Sequence, residues 1–337
     1  MAADDYALAV GIARYPGLSN LQGPENDAGR FHEWLVSPCG GDVPENQAFL
    51  VLSSHFGPFA QRRDARPIIQ DILNHFECMI ETGKQRGGRA GRRLYIFMAG
   101  HGFSPTLEEA ALLMANANMD SMGYHIPSRT YALWFIASAL FDEIVLLMDC
   151  CRDDYPYTNL ALPPWGMIHA ARAYKVRHLY GFATKWSRKS RERVIAEGGE
   201  IRGLFTWSLL KGLQGGAVDQ QGRTTGASLK NFVHNYLPKL LPQDQYQEPN
   251  FEGDEDIVFT QGRPVSTTHV LITFGQLAQH ATAQLFNASF DLKGQHAVKD
   301  GTWEVDLEPG IYRLLVPCTG QKLLFEVIGG GVINVPL

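Results

Sequence analysis

The chain reads as an α/β protein, a mainly parallel sheet flanked by helices, followed by a small C-terminal all-β sandwich. Three observations carry this reading. Short runs that are apolar throughout, Leu94-Tyr95-Ile96-Phe97-Met98 and Ile144-Val145-Leu146-Leu147-Met148, have the character of strands buried on both faces. Segments with apolar residues at spacings of three and four alternate with such runs, as in strand–helix–strand units. Beyond Gly262-Arg263-Pro264 the pattern changes to alternating stretches divided by turn signals.

Taken in order, Tyr6 to Ile12 is the first strand and Asn26 to Val36 the first helix, with Ala28, Phe31, Trp34 and Leu35 on one face. Ala48 to Leu52 is the second strand. Pro67 to Thr82 is the clearest helix: Ile68, Ile72, Phe76 and Ile80 step by four, and Pro67 suits a first helical position. Lys84 to Arg93 reads as a Gly/Arg loop ahead of the strand at Leu94. Leu112 to Met114 is a short strand or hairpin, and Arg129 to Phe141 a buried helix. After the strand at Ile144 come a Pro-rich loop from Asp153 to Gly166, a helical stretch at His169 to Lys175 and a strand at Leu179 to Ala183. Lys185 to Gly203 is charged and carries Gly198-Gly199, so a mobile loop is expected there. Phe205 to Leu213 and Leu229 to Leu237 are helices, and Asp256 to Phe259 a last short strand. In the tail, His269 to Phe274, Ala283 to Phe286, Trp303 to Leu307, Tyr312 to Val316, Lys322 to Val327 and Val332 to Val335 read as sandwich strands, with Gly329-Gly330-Gly331 as one turn. The expected domains are therefore 1–262 and 263–337.

Composition narrows the function classes. With 337 residues, 45% of them hydrophobic, a sizeable core is available. The net charge of −5 gives no reason to expect nucleic acid or an anionic membrane as partner. No segment approaches the roughly 18 apolar residues of a membrane span. The start, Met1-Ala2-Ala3-Asp4-Asp5, lacks the charge and long apolar stretch of a signal peptide. Five cysteines without framework spacing then fit reduced thiols in a cytoplasm.

Two motifs end buried strands. His101 sits in Ala99-Gly100-His101-Gly102, and Cys151 in Asp149-Cys150-Cys151-Arg152, 50 positions later. In a parallel sheet, residues leaving the carboxyl ends of neighbouring strands meet at one edge, where such folds place their sites. A histidine and a cysteine brought together there make a base and its nucleophile.

At this point the chain resembles the caspase-like cysteine proteases, over roughly Tyr6 to Phe259. The carrying residues are Ala9-Val10-Gly11-Ile12 with Leu21-Gln22-Gly23 and Asn26-Asp27-Ala28, the two motifs above, and Gly203-Leu204-Phe205-Thr206 with Leu209, Leu210 and Gly215. A histidine about 50 residues upstream of the cysteine is the caspase spacing. Asp-x-Cys-Arg is nearest to paracaspases, and metacaspases share Asp-x-Cys. Asp153-Asp154 departs from the small residues usual in metacaspases, and the tail after Pro264 matches no caspase element.

The resemblance selects Cys151 over Cys150 as nucleophile, makes His101 the base, and gives the backbone N–H groups of Gly102 and Cys151 to an oxyanion hole. It also puts Asp27 and Asp149 in a pocket for the basic residue before the cut; caspases proper use arginines and take aspartate. Asp149, two residues before Cys151, points to the same side of an extended segment as the nucleophile. Two buried carboxylates disfavour each other unless a cation lies between them, and an arginine of the substrate would supply one. Against this, Asp27 also fits a helix N-terminal acid, Asp149 a structural acceptor, and Arg14 is the caspase-like counter-candidate, read as facing solvent. Lys185, Arg188, Lys189, Arg191 and Arg193 make either a solvated basic loop or a site the enzyme cuts in itself; Arg86 to Arg93 is a second such stretch. No CxxC or HExxH motif points to a metal. Calcium, as in metacaspases, would fall to Asp120, Asp153 and Asp154, without EF-hand spacing.

The expectation is a cysteine endopeptidase cutting protein substrates after Arg or Lys through an acyl-thioester. An activating protein partner could bind the C-terminal domain, and by analogy a bacterial defence or cell-death effector fits. Two alternatives stay open: a catalytically silent caspase-like adaptor, and a caspase-like protease with Asp specificity.

Overall fold

The computed structural model describes residues 2–154, 159–166, 168–195, 199–219, 221–242, 244–261, 267–275, 280–287, 290–308, 310–327 and 332–337. Six strands form the central sheet: β1 (Asp5–Gly11), β2 (Ala48–Leu52), β3 (Gly91–Ala99), β4 (Phe141–Asp149), β5 (Arg177–Phe182) and β6 (Asn250–Gly253). Their order is β6-β5-β4-β3-β1-β2, parallel throughout except for β6, which runs antiparallel to β5. Parallel neighbours need long crossovers. The helices α1 (Pro24–Val36), α2 (Ile69–Gln85) and α3 (Ser128–Ser138) lie in those between β1 and β2, β2 and β3, and β3 and β4.

The apolar strands bury both faces, as continuous rather than alternating hydrophobicity requires. In β3, Leu94, Ile96 and Met98 join a core with Ile72, Phe76 and Met79 of α2 and Tyr131 and Phe135 of α3. Tyr95 and Phe97 point the other way. There Phe97 stacks on Phe31 of α1 with ring centroids 4.7 Å apart, and Tyr95 meets Trp34 edge-on at 6.1 Å. The expected mainly parallel sheet between helices is thus the one observed.

Several boundaries differ from the sequence reading. The stretch read as a loop to Arg93 already contains the start of β3. Arg93 is buried, and its guanidinium bonds Glu143 at 2.7 Å and the Tyr95 hydroxyl at 2.7 Å, so a charged residue sits in a strand because its partners come from the sheet. The edge strand β6 was not anticipated; Val258–Thr260 pairs instead with Thr224–Thr225. The short strand expected at Leu112 is present as Ala111–Leu113, but its partners were not read: Gly102–Ser104 and Asp153–Asp154 pair in parallel, and with His125–Pro127 they complete a four-stranded sheet. Within Lys185 to Gly203, read as a mobile loop, Glu192–Val194 pairs antiparallel with Ile201–Gly203.

The chain divides into two compact units. One comprises Met1–Leu210 with Val233–Ile257, the other Lys211–Phe232 with Val258–Leu337. Two of the three points of division fall within helices, α4 (Leu204–Lys211) and α5 (Gly226–Tyr236). Within the second unit a three-stranded sheet (Thr302–Leu307, Thr268–Thr273, Val332–Pro336) and a four-stranded one (Leu292–Ala297, Thr282–Asn287, Gly310–Val316, Gln321–Val327) share a core that includes Val270, Ile272, Leu285, Trp303, Leu314 and Val316. Leu292–Ala297 escaped the reading because its side chains are largely exposed and give no apolar period. Gly262-Arg263-Pro264, Gly198 and Gly329-Gly330-Gly331 lie outside the described residues. Among the described residues no helix is long and apolar enough to cross a membrane.

Candidate active site

The register of β3 and β4 sets Ala99 beside Asp149, so the next two residues of each strand bring His101 and Cys151 to the same sheet edge. Both border one pocket of about 110 Å³, together with Asp27, Asp149, Ser190 and Gly203.

His101 is held from two sides. Its backbone N–H donates to the Tyr15 hydroxyl at 3.0 Å, and its ring meets the Tyr15 ring edge-on at 4.8 Å. Tyr15 is fully buried and passes its own proton toward the Leu113 carbonyl at 3.2 Å. On the other side Nε2 lies 2.7 Å from the Ser19 carbonyl. A carbonyl only accepts, so Nε2 carries the proton and Nδ1 of the neutral ring is left with a free lone pair. That is the tautomer a general base needs.

Cys151 is partly buried, with Sγ 3.8 Å from the Ser190 carbonyl. Burial pushes its thiol up to about 11, so at neutral pH it is protonated. Cys150 also borders the pocket, but it is buried and its sulfur faces Gly102, where a Cβ would lie 2.5 Å from it. Gly102 itself pairs with Leu112 and is not among the residues bordering the pocket. A glycine there makes room for the sulfur beneath it.

The carboxylates of Asp27 and Asp149, which border the same pocket, are both buried. Asp27 accepts from Arg202 Nε at 2.8 Å and from the Gly203 N–H at 2.8 Å. Asp149 accepts from the Ser190 hydroxyl at 2.6 Å, the Thr206 N–H at 3.0 Å and the Thr206 hydroxyl at 2.7 Å. Burial raises both carboxyl pKa values. For Asp27 the charge of Asp149 adds to the rise and Arg202 opposes it. Gly203 passes between them so closely that any Cβ would clash with both carboxylates. The sequence reading left the gap between the two acids for a cation from a substrate; the chain already sets one of its own, Arg202, against Asp27. Arg14 is exposed, as expected, and borders a different pocket.

The basic segment lies across this site. The Arg152 N–H donates to the Arg188 carbonyl at 3.0 Å, and the Ser187 N–H to the Arg152 carbonyl at 2.9 Å. The Arg191 N–H reaches Gln247 Oε1 at 3.1 Å, the Glu192 carboxylate takes the Gly23 N–H at 2.8 Å, and Lys185 pairs with Glu248. Lys185, Arg188 and Lys189 are exposed, while Arg191 and Arg193 are half-buried. Among the described residues no group of three or more His, Cys, Asp or Glu is gathered to hold a metal, and Asp153 and Asp154 run as a strand beside Phe103 and Ser104.

Sequence reasoning missed Tyr15, Ser19, Ser190 and Arg202. Each acts on a residue 41 to 175 positions away, and none carries a motif.

No protein-family model matches the chain. A curated protein of a Desulfuromonadales bacterium, named a probable protease, is 28% identical over 227 residues, covering 63% of this chain and 26% of that protein. The chain therefore spans about a quarter of the length of that relative. Among solved structures, caspase-1 of Spodoptera frugiperda aligns over 77% of this chain and 91% of its own, at 14% identity and a TM-score of 0.47.

Proposed function

We propose that the chain is a cysteine endopeptidase in which Cys151 is the nucleophile and His101 its base, cutting protein substrates after arginine or lysine. One observation carries this: a histidine fixed through Nε2 on the Ser19 carbonyl borders the same pocket as a cysteine and two buried carboxylates. The resemblance of the two motifs to the caspase-like proteases, and the name of the bacterial relative, point the same way.

The steps follow from the residues. His101 Nδ1 takes the thiol proton as sulfur attacks the scissile carbonyl; the C–S bond forms and the carbonyl electrons move to oxygen. Burial raises the thiol pKa to about 11, so the sulfur needs the base to take its proton before or as it attacks. The imidazolium then gives that proton to the departing amine as the C–N bond breaks, leaving an acyl-thioester. Water, deprotonated by the same nitrogen, cleaves the thioester and restores the thiol. The basic side chain before the cut reaches toward Asp149 and Asp27, and displaces the Ser190 hydroxyl from Asp149 to do so.

The test is a set of fluorogenic peptides identical except for Arg, Lys, Asp or Ala before the reporter. Release from the Arg and Lys peptides, lost in Cys151→Ala and His101→Ala protein, is the expected result. Release from the Asp peptide instead would identify the Asp-specific alternative. No release from any, with Cys151 unlabelled by a peptide bearing a thiol-reactive group, would return the chain to the adaptor reading.

A further inference from the structure

The same sheet edge carries a second and larger pocket, of about 530 Å³, bordered among others by Arg14, Tyr15, Leu18, Ser53 and Phe59. Consecutive stretches of the chain, the loop after β1 and the start of α1, wall the two pockets. Arg14, Tyr15, Pro16, Leu18 and Asn20 border the larger; Leu21, Pro24 and Asp27 border the smaller. His101 stands at the junction, with Nε2 on the Ser19 carbonyl and its ring against Tyr15.

We infer that the larger pocket binds the part of the substrate that follows the cut bond, and that it favours a bulky apolar residue there with an acidic residue beside it. This rests on the proposed function. Cys151 holds the acyl half, whose side chain occupies the carboxylate pocket. The leaving amine must lie on the His101 side, because His101 protonates it. A chain continuing from that amine advances about 3.3–3.6 Å per residue past His101. The wall it meets there is the one formed by Tyr15 and Leu18.

The chemistry of the lining sets the preference. A volume of about 530 Å³ falls in the range of pockets that enclose a substantial ligand. Leu18, Pro58, Phe59 and Ala65 give it apolar walls. Two cations border it, and they differ. Arg66 is engaged, paired with Asp71 and lying over the Phe56 ring at 4.7 Å. The Arg14 guanidinium is exposed and has no partner among the described residues. Its backbone is fixed, since the Ser53 hydroxyl accepts the N–H groups of Ala13 at 3.1 Å and Arg14 at 3.3 Å. Asn20 Oδ1 takes the Tyr15 N–H at 2.8 Å and braces the same wall. The lining is mixed, and an anchored, unpaired cation beside the apolar side chains of Leu18 and Phe59 selects an apolar residue with a carboxylate next to it.

The experiment uses internally quenched peptides with one Arg cleavage site, followed by Phe-Glu, Phe-Lys, Gly-Glu or Gly-Lys. An Arg peptide with a small dye as leaving group serves as reference. The Glu-to-Lys ratio of kcat/KM within each protein is read, so a general loss of activity or stability cancels. Wild type should favour Glu over Lys by about fivefold, the upper range for a partly exposed ion pair. Arg14→Ala should flatten the ratio and Arg14→Glu reverse it. Phe peptides should exceed Gly peptides, and Phe59→Ala, with Phe59→Leu as the milder variant, should narrow that gap. A flat ratio in wild type, or one that Arg14→Glu leaves intact, overturns the inference while cleavage of the reference peptide keeps the protease reading. No cleavage of any peptide, the reference included, overturns both.

Discussion

Arg202→Ala would strand a buried carboxylate, and its cost can be reasoned from the geometry. Arg202 and Asp27 are 3% and 2% exposed at the side chain, and Nε lies 2.8 Å from Oδ1. Removing one member of such a pair costs about 3–5 kcal/mol, because the other charge stays buried without a partner. Against a total stability of about 5–15 kcal/mol the loss is large. Asp27 has one escape, which is to take up a proton. Burial and the Asp149 charge already raise its pKa, and Arg202 is the cation opposing them, so the variant raises it further. The sign with pH follows. Below the unfolded value of about 3.9 the carboxyl is neutral in both states, and the variant strands no charge. As pH rises from there toward the folded-state pKa, the folded variant keeps a proton that the unfolded chain releases. Wild type shares this cost up to its own raised folded-state pKa, so the gap between the two proteins opens between that pKa and the higher one of the variant, and is constant above it. Urea unfolding of wild type and variant at pH 4 and pH 7.5 measures it, and the gap should be wider at pH 7.5. Asp27→Asn with Arg202→Met should recover most of the loss, since no unpaired charge remains. Arginine amide should protect Arg202→Ala more than wild type if a substrate guanidinium can take the vacated place. A gap below about 1 kcal/mol, or one equal at both pH values, would refute the reasoning.

Three further outcomes are expected. Iodoacetamide at pH 7.5 should label the exposed Cys39, Cys78 and Cys318 before Cys151, with the Cys151 rate climbing as pH approaches about 11, because only the thiolate reacts; peptide mapping that finds Cys151 first would contradict the buried, protonated thiol. Asp149→Asn turns an acceptor of the Ser190 and Thr206 hydroxyls and the Thr206 N–H into a group that also donates; a loss of about 1–3 kcal/mol in stability is expected, with kcat/KM falling more steeply for Arg than for Ala peptides. Concentrated active protein should cut itself within residues 185–202, where Lys185, Arg188 and Lys189 are exposed, while Cys151→Ala protein stays whole; full peptide activity with no cut on a gel would show that cleavage there is not the switch.

What the sequence determined by itself is the part written in short range. Apolar runs such as Leu94–Met98 must bury both faces, and that alone calls for a parallel sheet under two helical layers. His101 and Cys151 were legible as a pair because each ends such a run, and parallel neighbours finish at one edge. Asp27 and Asp149 were legible only as acids near that edge. Their state was decided by tertiary structure, which brought Arg202, Gly203, Ser190 and Thr206 onto them from 41 to 176 positions away. The same holds for Ser19, whose carbonyl fixes the His101 tautomer, and for the Lys185 to Gly203 stretch. Its polarity reads as a free loop, yet its backbone pairs with itself and with Arg152. Backbone carbonyls and N–H groups are common to all residues, so which of them meets a given side chain leaves no mark in the sequence and is set only when the chain has folded.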